Sequence, residues 1–311
     1  MKYIVFCAHE IPKVYEGLTG GFVDRLKGLS SAILLSRLFG VKLVVLWREP
    51  FPINNYFNFS DEIEFFEGHV DNLVECPKIN FLHKNFQAQI SNRNPLEFYQ
   101  SLKDILQSSP VVFFSNRECG ELFRYFSKCC GEEALKLLPQ NGWDIFGQGY
   151  ISVSDRIRPE KINFETKKDT VSLHFRVGGE NLRWTDPALY NEERLPNDLG
   201  RLCSSLAKAR GKIRFKVFSD NTQVRERAVN ILRSNSFEVH ESNCEPVHLE
   251  RSQGFHAAEL AATLREWVDI GDASFVIRTA GAFAAYAAKC RGIDVFNIDD
   301  ISAIEGRVTQ M

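Results

Sequence analysis

Strand-length apolar runs alternate with segments of helical period along this chain, and that alternation limits the folds open to it. Lys2–Ala8 (KYIVFCA) is an apolar run of strand length. Phe22–Phe39 carries Leu26, Leu29, Ile33, Leu34 and Leu38 at helical spacing, and Lys42–Trp47 is a second apolar run. Gly40 stands where a helix C-cap glycine belongs. Strand, helix and strand in that order make a β-α-β unit, which implies a parallel sheet.

The alternation continues. Between Glu49 and Leu96 the chain is rich in Asn, Phe and Pro, and short strands are expected at Glu62–Glu67 and Lys78–Leu82. A helix is expected over Pro95–Gln107, a strand over Val111–Ser115 and helix over Cys119–Leu138. The second half reads as strands at Thr170–Arg176, Ile213–Ser219, Phe237–His240, Ala273–Ile277 and Asp294–Asn297. Helices fall between them at Asp198–Lys208, Thr222–Ser234, Phe255–Asp269 and Gly281–Cys290. This is the pattern of a doubly wound α/β domain. At 311 residues the chain exceeds one ordinary core and suits two. The charged, irregular stretch around Ile157–Lys168 marks the boundary, giving domains 1–163 and 164–311. The two are expected to face each other across a cleft.

Several function classes drop out. The 38 basic and 40 acidic residues nearly cancel, so no global field argues for nucleic acid. No apolar run approaches the ~20 residues that span a bilayer, and Met1–Ala8 is too short for a secretory signal. A cytoplasmic protein is expected, with its eight cysteines as reduced, mostly buried thiols and Cys129–Cys130 in helix packing. His240, Cys244, His248 and His256 hint at a metal, but Pro246 breaks a helix there and no C-x-x-C pair supports a site. No metal is expected.

In doubly wound sheets ligands bind beyond the C-terminal strand ends, and here those ends are polar. One carries His174 and Arg176 before Gly178 and Gly179. Another carries Ser219, Asp220 and Asn221, and a third Arg278 and Thr279. Arg176 and Arg278 suit phosphate oxygens, the helix start at Gly281 adds a positive dipole end, and Ser219 and Asp220 suit ribose or a base edge. This is the profile of a nucleotide-diphosphate site. It lacks the P-loop pattern and a well-placed G-x-G-x-x-G. Structural readings compete: Asp220 and Asn221 also suit a cap on the helix at Thr222, Asp24 an ion pair at its own helix, and either arginine a carboxylate partner.

Four motifs in order resemble the α1,6-/protein O-fucosyltransferase superfamily. "GGFVDRL", from Gly20 and Gly21 through Asp24 and Arg25, resembles its N-terminal glycine–aspartate–arginine motif. "HFRVGGE" resembles its H-x-R-x-G motif, in the form of bacterial nodulation fucosyltransferases, "FSDN" its strand-ending Ser-Asp motif, and "DIGDASFVIRTAGAFAAYAAKCRG" its last motif. The resemblance implies a GT-B-like fold of two Rossmann-type domains facing a central cleft. It also implies inverting, metal-independent transfer from GDP-fucose without a cofactor. Carried over, Arg176 contacts the donor diphosphate, His174 lines the same pocket, and Ser219 and Asp220 lie near the nucleoside. The last motif, with Gly281 and Phe283, brings a helix to face the donor. That motif departs from the family, which commonly carries Ser-Ser-Phe where this chain has Ala280-Gly281-Ala282-Phe283.

Sugar transfer passes through an oxocarbenium-like state. Arginine at the leaving diphosphate is worth roughly 3–4 kcal/mol by analogy with an oxyanion-hole donor. A carboxylate or His takes the acceptor proton, and the candidates are Glu180, Asp24, His9 and Glu10. The expected acceptor is a glycan or lipid-linked glycan, as in polysaccharide biosynthesis. Two alternatives remain open: another nucleotide-activated sugar, and a non-catalytic nucleotide- or glycan-binding protein.

Overall fold

The computed structural model describes residues 2–9, 11, 14, 20–82, 94–127, 145–146, 149–158, 169–180, 185–186, 189–209, 211–242 and 257–311. By internal contacts the chain divides into two units, Met1–Ser152 and Val153–Met311. The division precedes the expected boundary because the short 3-10 turn Asp155–Ile157 packs on the C-terminal unit. There the carbonyl of Arg156 accepts from Arg265.

The N-terminal unit is built on a five-stranded sheet. Its strands are β1 (Tyr3–Cys7), β2 (Lys42–Leu46), β4 (Ile63–Phe65), β5 (Lys78–Phe81) and β6 (Val111–Ser115), in spatial order β4-β2-β1-β6-β5 and all parallel. β3 (Phe57–Phe59) pairs apart from this sheet with β7 (Ile151–Val153). The helices are α1 (Phe22–Phe39), α2 (Pro95–Ser108) and α3 (Cys119–Phe126). The helix expected to run to Leu138 is described only to Phe126, and 128–144 lie outside the described residues.

α1 lies against β1, β2 and β6. Its approach to β6 depends on Gly28, where an added β-carbon would sit 1.9 Å from the carbonyl oxygen of Ser115. No side chain other than hydrogen fits, so this residue sets how closely the helix meets the end of β6. Ser31 Oγ then donates to the carbonyl of Arg117 at 2.5 Å, fastening the helix to the loop after that strand.

The C-terminal unit repeats the architecture. β8 (Thr170–Phe175), β11 (Arg214–Ser219), β12 (Glu238–Glu241), β13 (Phe275–Arg278) and β14 (Asp294–Asn297) form a parallel sheet in order β12-β11-β8-β13-β14. Its helices are α4 (Leu195–Ser205), α5 (Thr222–Ser234), α6 (Ala257–Ile270), α7 (Phe283–Lys289) and α8 (Ile301–Thr309). A two-stranded hairpin, β9 (Gly179–Glu180) with β10 (Thr185–Asp186), follows β8. All six residues of β8 are buried, the polar Ser172 and His174 included. A central parallel strand covered by helices on both faces has no solvent side.

The helix expected from Gly281 begins at Phe283 and has seven residues. Gly281 lies at φ +76, outside the right-handed helical region. A dipole site at a helix starting on Gly281 is therefore not formed.

Five cysteines among the described residues are outside any disulfide, four of them buried. Burial pushes the Cys119 thiol up to about 11 and that of Cys7 further. Cys129, Cys130 and Cys244 lie outside the described residues. Among the described residues no helix is long and apolar enough to cross a membrane.

Candidate functional site

In the C-terminal sheet the strand order reverses direction at β8. The chain passes from β8 to β11 on one side and later returns to β13 on the other. A crevice opens beyond the strand ends at such a switch point. The polar residues singled out from the sequence meet here.

The three strand ends are bonded to one another. Thr279 N donates to the carbonyl of His174 at 3.1 Å, and Asp220 N to that of Phe175 at 3.4 Å. Arg176 N donates to Thr279 Oγ1 at 2.9 Å, which ends β8 one residue before the expected Arg176. Arg176 Nη1 is ion-paired with Asp220 Oδ2. Asp220 also accepts the N–H of Val177 at 2.8 Å and that of Gly178 at 3.0 Å. Arg278 Nη1 donates to the carbonyl of Gly281 at 2.6 Å and closes the loop after β13.

His174 is 5% exposed and stands opposite Arg278 in the register of β8 and β13. Its Nδ1 has no hydrogen-bond partner among the described residues, and its ring centroid is 6.0 Å from that of Phe283. Burial above all drives its pKa down to about 4; Asp220 opposes the shift, and Arg176 and Arg278 add to it. The imidazole is therefore neutral near pH 7. The Nε of Arg278 is likewise buried without a partner among the described residues.

Ser219 and Asn221 serve the local fold. Asn221 Oδ1 caps α5 by accepting from Val224 N at 3.1 Å, and Ser219 Oγ accepts from Asn221 N at 3.1 Å. The cap reading thus applies to Asn221, and Asp220 caps the turn after β8 instead. That role of Asp220 was not legible in the sequence, because its partners lie more than 40 residues away. The backbone of Glu180 falls in β9, and its side chain lies outside the described residues.

In the N-terminal unit, Gly20 and Gly21 lead into α1. Arg25 is buried, donating from Nε to the carbonyl of Gly20 at 3.0 Å and from Nη1 to that of Glu49. Asp24 pairs with Lys27 at 2.8 Å. His9, just past β1, is buried and its pKa falls to about 4, through burial first and then Arg25 and Arg48. Glu10 lies outside the described residues. Among the described residues no group of three or more His, Cys, Asp or Glu is placed to hold a metal ion. His240 is on β12; Cys244, His248 and His256 lie outside the described residues.

No family model and no curated protein matches the chain. Solved structures do. A variant of Arabidopsis thaliana FUT1 in complex with GDP superposes with a TM-score of 0.60 at 14% identity, over 95% of this chain and 70% of that one. The chain has a GT-B-type fold, like that structure. POFUT1 in complex with GDP-fucose is a looser match, with a TM-score of 0.46 and 13% identity over 96% of this chain and 98% of that one. At these identities the likeness is one of fold. The GT-B architecture accounts for the two Rossmann-type units expected from the strand and helix alternation.

Proposed function

We propose that this chain is an inverting glycosyltransferase that transfers L-fucose from GDP-fucose to a glycan or lipid-linked glycan acceptor. The carrying observation is the convergence of His174, Arg176, Asp220, Arg278 and Thr279 at the switch point of the C-terminal sheet. The fold likeness to FUT1, whose structure holds GDP, supports the choice of donor.

In this reading the acceptor oxygen attacks the anomeric carbon and the bond to the diphosphate breaks. The diphosphate leaves with the bonding electrons, and a carboxylate, Glu180 or Asp24, takes the acceptor proton. Arg176 faces the charge growing on the leaving group. A preorganised cation at that point acts on the transition state more than on the ground state. The Thr279 hydroxyl accepts from Arg176 N and keeps its own proton for a phosphate oxygen. Neutral His174 lines the pocket without adding charge. No metal is required, because guanidinium supplies the positive charge.

The test is thermal unfolding with GDP, UDP, CDP and ADP, followed by hydrolysis of GDP-fucose. A ligand at a hundredfold excess over its Kd stabilises by about 2.7 kcal/mol. Stabilisation by GDP with slow release of fucose supports the reading. Stabilisation by another nucleotide alone would assign a different donor, as the missing hydroxyls at Gly281 and Ala282 allow. Binding of GDP without hydrolysis or transfer would make the chain a binding protein.

A further inference from the structure

Asp220 does more than end a strand. Oδ1 accepts the N–H of Val177 at 2.8 Å, Oδ2 accepts that of Gly178 at 3.0 Å, and Oδ2 also takes Arg176 Nη1. The Asp220 side chain is 10% exposed and that of Arg176 17%. An ionised carboxylate offers about four lone-pair sites, and three are taken within one turn. One site, on Oδ1, is left for any further donor.

A carboxylate beside a diphosphate site is also electrostatically adverse, since like charges at such distances repel. Its presence calls for a compensating role, and the geometry supplies one. Arg176 is held at two points: its backbone N–H by Thr279 Oγ1 on the β13 side, and its guanidinium by Asp220 on the β11 side. An arginine pinned at both ends loses less rotamer freedom when it meets an anion.

We propose that Asp220 is a positioning residue, holding the Arg176 guanidinium and the turn 176–178 in the pose that receives a diphosphate and making no contact with the nucleoside. This rests on the donor-site reading of Arg176 given above, and assigns Asp220 a role other than the nucleoside contact that the resemblance implies.

The two assignments differ in sign, so calorimetric titration of the full chain with inorganic pyrophosphate and with GDP separates them. Asp220→Asn keeps the shape and removes the charge. Asp220→Glu keeps the charge and moves the carboxylate by one methylene, off the two amides. With a positioning role, both variants weaken pyrophosphate and GDP by the same factor, about tenfold. Asp220→Asn then adds no further loss in an Arg176→Ala background. With a nucleoside contact, Asp220→Asn weakens GDP and leaves pyrophosphate unchanged or tighter, because a negative charge has gone. That result overturns the proposal while the donor-site reading stands. If Asp220→Asn fails to fold, Asp220→Glu carries the same comparison. A wild-type chain that binds neither probe removes the donor-site reading, and this proposal with it.

Discussion

Gly281 lies so close to Arg176 that a β-carbon added to it would sit 3.1 Å from the Arg176 Cγ. Its φ of +76 is a backbone conformation that side chains disfavour. The closure of the loop after β13 and the course of the arginine stem thus depend on the same missing side chain. Gly281→Ala is expected to lower stability by about 1–2 kcal/mol from the backbone alone. It also pushes the Arg176 stem aside. Urea unfolding and pyrophosphate titration on one variant check both effects.

Arg176→Ala is expected to cut transfer severely while the fold remains. The loss in kcat is roughly 100- to 1,000-fold, the range found on removing a single preorganised donor to a developing charge. Circular dichroism and single-turnover kinetics check this. Wild-type turnover in the variant would reject the role assigned to Arg176.

Lys216 and Asp269 form an ion pair at 2.7 Å between β11 and α6, with Lys216 also donating to the carbonyl of Asp272 at 3.1 Å. The lysine side chain is 6% exposed and the aspartate 14%. Lys216→Met leaves a largely buried carboxylate without its cation and is expected to destabilise by about 3 kcal/mol. The double variant Lys216→Met with Asp269→Leu is expected to recover most of that, since an apolar pair of similar volume avoids desolvation. Chemical denaturation of both variants checks it.

His174 and His9 both carry pKa values lowered from 6.5 to about 4, burial being the first cause in each. Below pH 6.5 the unfolded chain takes up protons that the folded chain refuses. Their contribution is therefore present above 6.5 and is lost as pH falls toward 4. Each contributes a slope of up to about 1.4 kcal/mol per pH unit in that window. His174→Gln is expected to flatten the pH dependence of unfolding free energy between 6.5 and 4. An unchanged slope would count against a neutral buried imidazole.

Chelation is expected to leave activity as it is, because the positive charge at the leaving group is assigned to guanidinium. Loss of transfer in chelator that a divalent ion restores would overturn the metal-free mechanism.

Much of the frame is written in local pattern. β1, β2 and β6 are apolar runs and β8 and β11 alternate apolar with polar residues, patterns recognisable without tertiary information. α1 and α5 follow the helical period, with Gly40 and Asn221 at their ends. Elements without a strong local signature escaped. α8 is short, and most of its residues face water. The β3–β7 pair joins segments about 90 residues apart, and the β9–β10 hairpin has two residues per strand. The start of α7 was misplaced because a positive φ at Gly281 is a property of the closed loop, not of the residue type alone.

Local pattern already put polar residues at the ends of three strands in the second half, since strand ends follow from where the apolar pattern stops. It also put a histidine and an arginine two residues apart at one of those ends. Which of them meet is set by the order of strands in the sheet. Sheet order places β8 between β11 and β13, and that order brings Asp220 to Arg176 across 44 residues of chain and Thr279 to Arg176 across 103. Pairing between distant strands depends on how helices cross over the sheet, and no window of the sequence contains both partners.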